Sequence, residues 1–100
     1  MMTIEDLEAF IRRNEAFFRS EFRITRIGIF GSYARGEQTT ESDLDLIVEF
    51  EENTGDLYEL KLQLKEFFLK QAGVRIDICR EKYIKPAFKQ SILREARYIY

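Results

Sequence analysis

The segment Asp43–Phe50, DLDLIVEF, constrains the fold more than any other stretch of the chain. Its side chains alternate. Leu44, Leu46, Val48 and Phe50 fall on one face of an extended strand, and Asp43, Asp45, Ile47 and Glu49 on the other. Such a strand must lay its hydrocarbon face on a core and keep its acids on the far side. Val74–Cys79 repeats the pattern, with Val74, Ile76 and Ile78 on one face and Arg75, Asp77 and Cys79 on the other. Arg26–Phe30, RIGIF, is a third short strand and runs into Gly31.

Helical periodicity fills the intervals. Ile4, Leu7, Phe10, Ile11, Phe17, Phe18 and Phe22 recur at helical spacing and predict one amphipathic helix over Thr3–Phe22, with Thr3 as N-cap. Gly31–Glu37 reads as a short helical turn and Gln38–Ser42 as a polar loop. Leu57–Gln71 predicts a second long helix that buries Leu57, Leu60, Leu64, Phe67 and Phe68, capped by Asp56 and stopped at Gly73. Pro86 suits the first turn of a last helix with Phe88, Ile92, Ala96 and Ile99 as its buried stripe. The order is helix, strand, short helix, strand, helix, strand, helix. It predicts an α/β domain with helices packed on a small sheet. With 100 residues and no repeat or linker, residues 1–100 form one domain.

Composition removes several chemistries. The chain has no histidine, so zinc–histidine sites, Ser-His-Asp triads and histidine bases are excluded. The single cysteine, Cys79, allows no internal disulfide and fits a cytoplasmic setting. A net charge of −2 disfavours nucleic acid as a partner. The N-terminal segment lacks the basic and apolar regions of a signal peptide, and no apolar run is long enough to span a bilayer.

What remains is chemistry on carboxylates, lysines, tyrosines, hydroxyls or metal ions. Asp43 and Asp45 project from one face of their strand, and Asp77 stands in the same way on another. Three carboxylates brought together repel, raise one another's pKa and call for a cation. Without histidine, the matching ion is a hard divalent one such as Mg²⁺ or Mn²⁺. Upstream, Gly31-Ser32 ends a strand and opens a helical turn, where N–H groups and a hydroxyl can hold a phosphate, with Arg35 one turn later. Each piece alone also fits a plainer reading. A D-x-D pair can be solvated charge on an exposed face, and Ser32 can be a simple N-cap with Arg35 paired to an aspartate.

Taken together, GSYARGE, a polar loop and SDLDLIVEF resemble the signature of the nucleotidyltransferase superfamily that includes DNA polymerase beta. The form with Arg35-Gly36, and with Ser42 before the first aspartate, resembles the minimal nucleotidyltransferase (MNT) family. That resemblance implies a small mixed sheet flanked by helices, the palm-like core of the superfamily, working with two divalent metal ions. Carried onto this chain, Asp43, Asp45 and Asp77 become the metal ligands and catalytic acids, with Asp77 also helping to deprotonate the attacking hydroxyl. Gly31 and Ser32 become the holders of the β- and γ-phosphates of ATP or another NTP. Arg35 becomes a further phosphate contact or a brace for the acids.

The resemblance further implies transfer of AMP from ATP to a tyrosine of a HEPN-domain toxin, as the antitoxin of a toxin–antitoxin pair. The chain has no room for an acceptor domain, so a partner subunit or the acceptor itself must complete the site, and assembly into an oligomer is compatible with this. Two other readings stand beside it. One is a non-catalytic antitoxin that masks its partner, and the other is transfer of a nucleotide to a small molecule. Lys82, Lys85 and Lys89 cluster around Pro86 as a solvated helix entrance or a phosphate-facing patch.

Overall fold

The computed structural model describes residues 2–100. A four-stranded mixed sheet organises it. The strands are β1 (Ile24–Phe30), β2 (Leu44–Phe50), β3 (Ile76–Cys79) and β4 (Arg97–Tyr98), in spatial order β3-β2-β1-β4. β1 pairs antiparallel with both β2 and β4, whereas β2 and β3 run parallel. Parallel neighbours need a crossover, and α4 (Leu57–Ala72) provides it. Mixed pairing and helical cover agree with the expected fold class.

Cross-strand partners share a face, so the register sorts the side chains. Ile27 sits beside Val48, and Ile29 beside Leu46. Leu44 and Leu46 continue onto Ile76 and Ile78. This face packs on α1 (Ile4–Arg13), α2 (Glu15–Glu21) and α4 through Leu7, Phe10, Ile11, Phe18, Leu64 and Phe68. Phe18 and Phe68 stack at 5.6 Å, and Phe10 meets Phe68 edge-on at 5.3 Å. Aromatic pairs at these separations add to the hydrophobic gain of burying the rings.

The first helix is shorter than its periodicity predicts. It breaks at Asn14, where φ is −104° and ψ 12°, and α2 follows. The Asn14 amide donates to the Phe10 carbonyl at 2.9 Å, so a side chain competes with the helical backbone at that point. Thr3 does cap α1, in a reciprocal capping box with Asp6. Asp56 and Gly73 bound α4 as expected, Gly73 with φ +66°.

The C-terminal region departs further. α5 (Pro86–Glu95) starts at Pro86 but carries no fully buried residue, and Phe88 is 59% exposed. Ala96 leaves the helix with extended backbone, and Ile99 lies beyond β4, its N–H bonded to the Ile27 carbonyl. The expected stripe of Phe88, Ile92, Ala96 and Ile99 therefore does not form on one helix. A two-residue strand pairs by its backbone, and side-chain periodicity does not record that. A 3-10 turn, Glu81–Tyr83, also precedes α5. Among the described residues, no helix is long and apolar enough to cross a membrane.

Candidate active site

The second face of the sheet carries the acids. Its rows follow from the register: Phe30 beside Asp45 beside Asp77, then Gly28 beside Ile47 beside Cys79, then Arg26 beside Glu49. Asp45 and Asp77 are thus direct neighbours on parallel strands. Asp43 precedes β2 by one residue, and its Oδ1 pairs with Arg75 Nε at 3.2 Å. Arg75 shares the acid face of its own segment with Asp77, which is the one sequence signal that it would stand next to these acids.

The face is not uniformly polar. Ile47 is fully buried, although it alternates with the acids. The 3-10 turn packs on β2 near its end, with the Glu81 N–H donating to a Glu49 carboxylate oxygen at 2.8 Å. Farther along, the Tyr98 ring lies against Gly28, where a Cβ would meet it at 2.8 Å. One end of the acid face is therefore closed, and the opening lies at the Asp43–Asp45–Asp77 end.

The Gly31 turn stands at that open end. α3 (Gly31–Arg35) begins with Gly31 at φ +74°, a left-handed conformation that side chains disfavour. An ideal Cβ on Gly31 would fall onto the Asp45 carboxylate, 2.9 Å from its Cγ. Glycine is required here twice, for the backbone angle and for the approach of the acid. Its N–H donates to Glu95 Oε2 at 2.7 Å. Ser32 follows, partly exposed, in the first turn of α3, whose N–H groups have no partner within the helix. Arg35 pairs with Glu37 at 2.8 Å and with Glu95 at 3.2 Å, so its partners are glutamates rather than an aspartate.

Electrostatics single out Asp45. Its carboxyl is pushed up to about 6, first by burial and then by Asp77 and Asp43, with Arg35 opposing. Burial also raises the Cys79 thiol, helped by Asp77, Glu49 and Asp45. Burial raises the Tyr33 phenol as well, with Asp43 adding to it.

These donors fit a hard divalent cation. They are all carboxylate oxygens, two of them paired across neighbouring strands, and Asp45 carries charge that its surroundings do not offset. Among the described residues no three ligating side chains close into a ready cage. Mg²⁺ does not need one, because it takes one or two carboxylates and completes its shell with water and substrate phosphates.

Comparison with known proteins agrees with this geometry. Residues 11–99 match the family model of the nucleotidyltransferase domain. The chain is 33% identical to the protein adenylyltransferase MntA of Thermococcus cleftensis, over 99% of this chain and 98% of that protein. It is 36% identical to a Methanocaldococcus jannaschii protein named as a candidate protein adenylyltransferase, over 99% of this chain and all of that one. A solved structure described as a candidate minimal nucleotidyltransferase superposes with a TM-score of 0.76 at 36% identity, covering 96% of this chain and 95% of that chain. A toxin–antitoxin complex with AMP-PNP superposes with a TM-score of 0.68 over 89% of this chain and 71% of that chain. At 17% identity, that second likeness concerns the fold. The Gly31 turn, the paired strand acids and the match across nearly the whole chain together establish that this protein belongs to the nucleotidyltransferase family, in its minimal form.

Proposed function

We propose that this nucleotidyltransferase moves AMP from ATP to a hydroxyl of a partner protein, a tyrosine of a HEPN-domain toxin. The observation that carries the reading is the Asp45–Asp77 pair beside the Gly31 turn, where the missing Cβ lets the Asp45 carboxylate lie against the backbone at one sheet end. Similarity to a protein adenylyltransferase supports AMP as the group transferred. Fold likeness to a toxin–antitoxin complex with AMP-PNP supports ATP and a toxin as the two ligands.

In this reading Asp43, Asp45 and Asp77 hold two Mg²⁺ ions, with Mn²⁺ as a substitute. Bound metal supplies Lewis-acid neutralisation of the triphosphate and of the attacking oxygen. The protein's part is positioning and electrostatics, which suffices for phosphoryl-type transfer. Ser32 and the first-turn N–H groups of α3 hold the β- and γ-phosphates. Gly31 contributes chiefly by lacking a Cβ, since its own N–H is engaged by Glu95. The acceptor hydroxyl oxygen bonds to the α-phosphorus, and the bond to the oxygen bridging to the β-phosphate breaks. Pyrophosphate leaves, and the hydroxyl proton passes to Asp77 or through it to water.

The test is incubation of the protein with labelled ATP, Mg²⁺ and a HEPN partner, followed by mass spectrometry of both chains. The partner is expected to gain AMP on a tyrosine, and Asp45→Asn to abolish the gain. A partner that is neutralised while remaining unlabelled would instead establish the masking antitoxin.

A further inference from the structure

The C-terminal hook reaches the site through one side chain that nothing above assigns to catalysis. β4 pairs Tyr98 with Gly28 and Arg97 with Ile29. Continuing that antiparallel register by two residues sets Glu95 opposite Gly31. There the chain is still helical, so its backbone cannot supply the next rung. The Glu95 carboxylate supplies it instead, accepting the Gly31 N–H at 2.7 Å. The same carboxylate holds Arg35 Nη1 through both oxygens at 3.2 Å. The Glu95 side chain is only 22% exposed.

Two features that the transfer reading uses are therefore held by one group. Gly31 is buried, and its N–H would be orphaned without Glu95. Its left-handed turn sets how closely the Asp45 carboxylate approaches and where the following N–H groups of α3 point. Arg35 lies near enough to Asp45 to oppose its raised pKa. Farther back, the hook is anchored by Ile99 N–H to the Ile27 carbonyl at 2.9 Å and Ile27 N–H to the Tyr100 carbonyl at 3.1 Å. Glu95 thus transmits the position of a fixed strand to a strained turn.

We propose that Glu95 is a positioning residue for nucleotide binding, fixing the Gly31 turn and Arg35 so that the first turn of α3 faces the triphosphate. The proposal rests on the transfer reading for its ligand. The carboxylate takes only the Gly31 N–H, so in this proposal the phosphates are left the next N–H groups of α3.

Three variants test it: Glu95→Ala, Glu95→Gln, and Glu95→Ala combined with Arg35→Ala. AMP-PNP binding is measured by calorimetry with Mg²⁺ present, thermal melting is followed alongside, and Gly31 amide exchange is followed by NMR without nucleotide. Loss of a hydrogen bond to a charged group predicts that Glu95→Ala weakens AMP-PNP about ten- to a hundredfold. Glu95→Gln keeps an acceptor for the Gly31 N–H and is expected to recover part of that loss. Adding Arg35→Ala is expected to cost little more, since without Glu95 only the exposed pair with Glu37 still holds Arg35. Gly31 exchange is expected to accelerate in Glu95→Ala while the melt stays two-state. Unchanged or tighter AMP-PNP binding in Glu95→Ala overturns the proposal, the tighter case by showing competition with phosphate. Affinity losses that merely follow the unfolded fraction overturn it too. If the unaltered protein binds no AMP-PNP, the transfer reading fails, whereas the exchange experiment still reports whether Glu95 holds the turn.

Discussion

The two faces of the sheet are built from the same strands and obey opposite rules. On the helix-covered face, Leu44, Leu46, Val48, Ile27 and Ile29 are buried in one cluster with Phe18 and Phe68. On the other face, one step along the same backbone, Asp45 sits half-buried beside Asp77 with its pKa driven upward. The first face supplies most of the core, whereas on the second the Asp45–Asp77 pair works against folding even though Ile47 beside it is buried. An acid pair that costs folding energy persists because the apolar face over-determines the strand that carries it.

Removing an aromatic ring from the first face should produce the largest change in stability. Phe68→Ala empties the space between Phe10 and Phe18 and should lower unfolding free energy by about 3–5 kcal/mol. Chemical denaturation measures it. Nucleotide binding per folded molecule should be preserved, and a selective loss of binding would show that the two faces are not separable.

Gly31→Ala probes the junction between them. A Cβ there meets the Asp45 carboxylate, and the left-handed backbone adds strain, for a combined cost of about 1–3 kcal/mol. Unlike Phe68→Ala, it should also remove transfer activity in the molecules that remain folded, because Asp45 is displaced. Denaturation and a transfer assay on the same preparation separate the two effects.

Asp45→Asn should have the opposite sign. A folded-state pKa of about 6 lies above the ordinary value of 3.8, so the folded state binds this proton more tightly than the unfolded chain does. Metal-free protein should therefore gain stability as pH falls from about 7 to about 4, through this group alone. Allowing for solvent screening, the gain is on the order of 1–2 kcal/mol. Asp45→Asn should capture it at neutral pH and flatten that part of the profile, while activity is lost. Thermal melts across pH with a chelator present measure this. A variant less stable than the parent at pH 7 would mean that the acid pair is structurally favourable after all.

Much of this contrast is legible in the sequence, because alternation is a local property. Asp43 and Asp45 separate from Leu44, Leu46 and Val48, and Asp77 from Ile76 and Ile78, by parity alone, and the Gly31-Ser32 turn follows from a strand that runs into glycine. Asn14 was less legible: helical spacing continues across it, and only its bond to the Phe10 carbonyl reveals the break. Ile47 misleads in the other direction, since parity places it with the acids and packing buries it. Glu95 carries no local signal at all. In ILREAR it reads as one more charge on an amphipathic helix.

By itself the sequence determined the strand faces, the helix caps at Thr3, Asp56 and Gly73, and the absence of any histidine chemistry. These depend on residue type and on separations of a few residues, which backbone geometry converts directly into direction. Tertiary structure alone decided that β2 and β3 are parallel neighbours, which turns two isolated aspartates into a pair. It also decided that Arg75 meets Asp43, and that the C-terminal hook carries Glu95 to Gly31, 64 residues away in the chain. Such contacts depend on how long-range pairings close, and the hydrophobic pattern that drives closure does not record which polar groups it brings together.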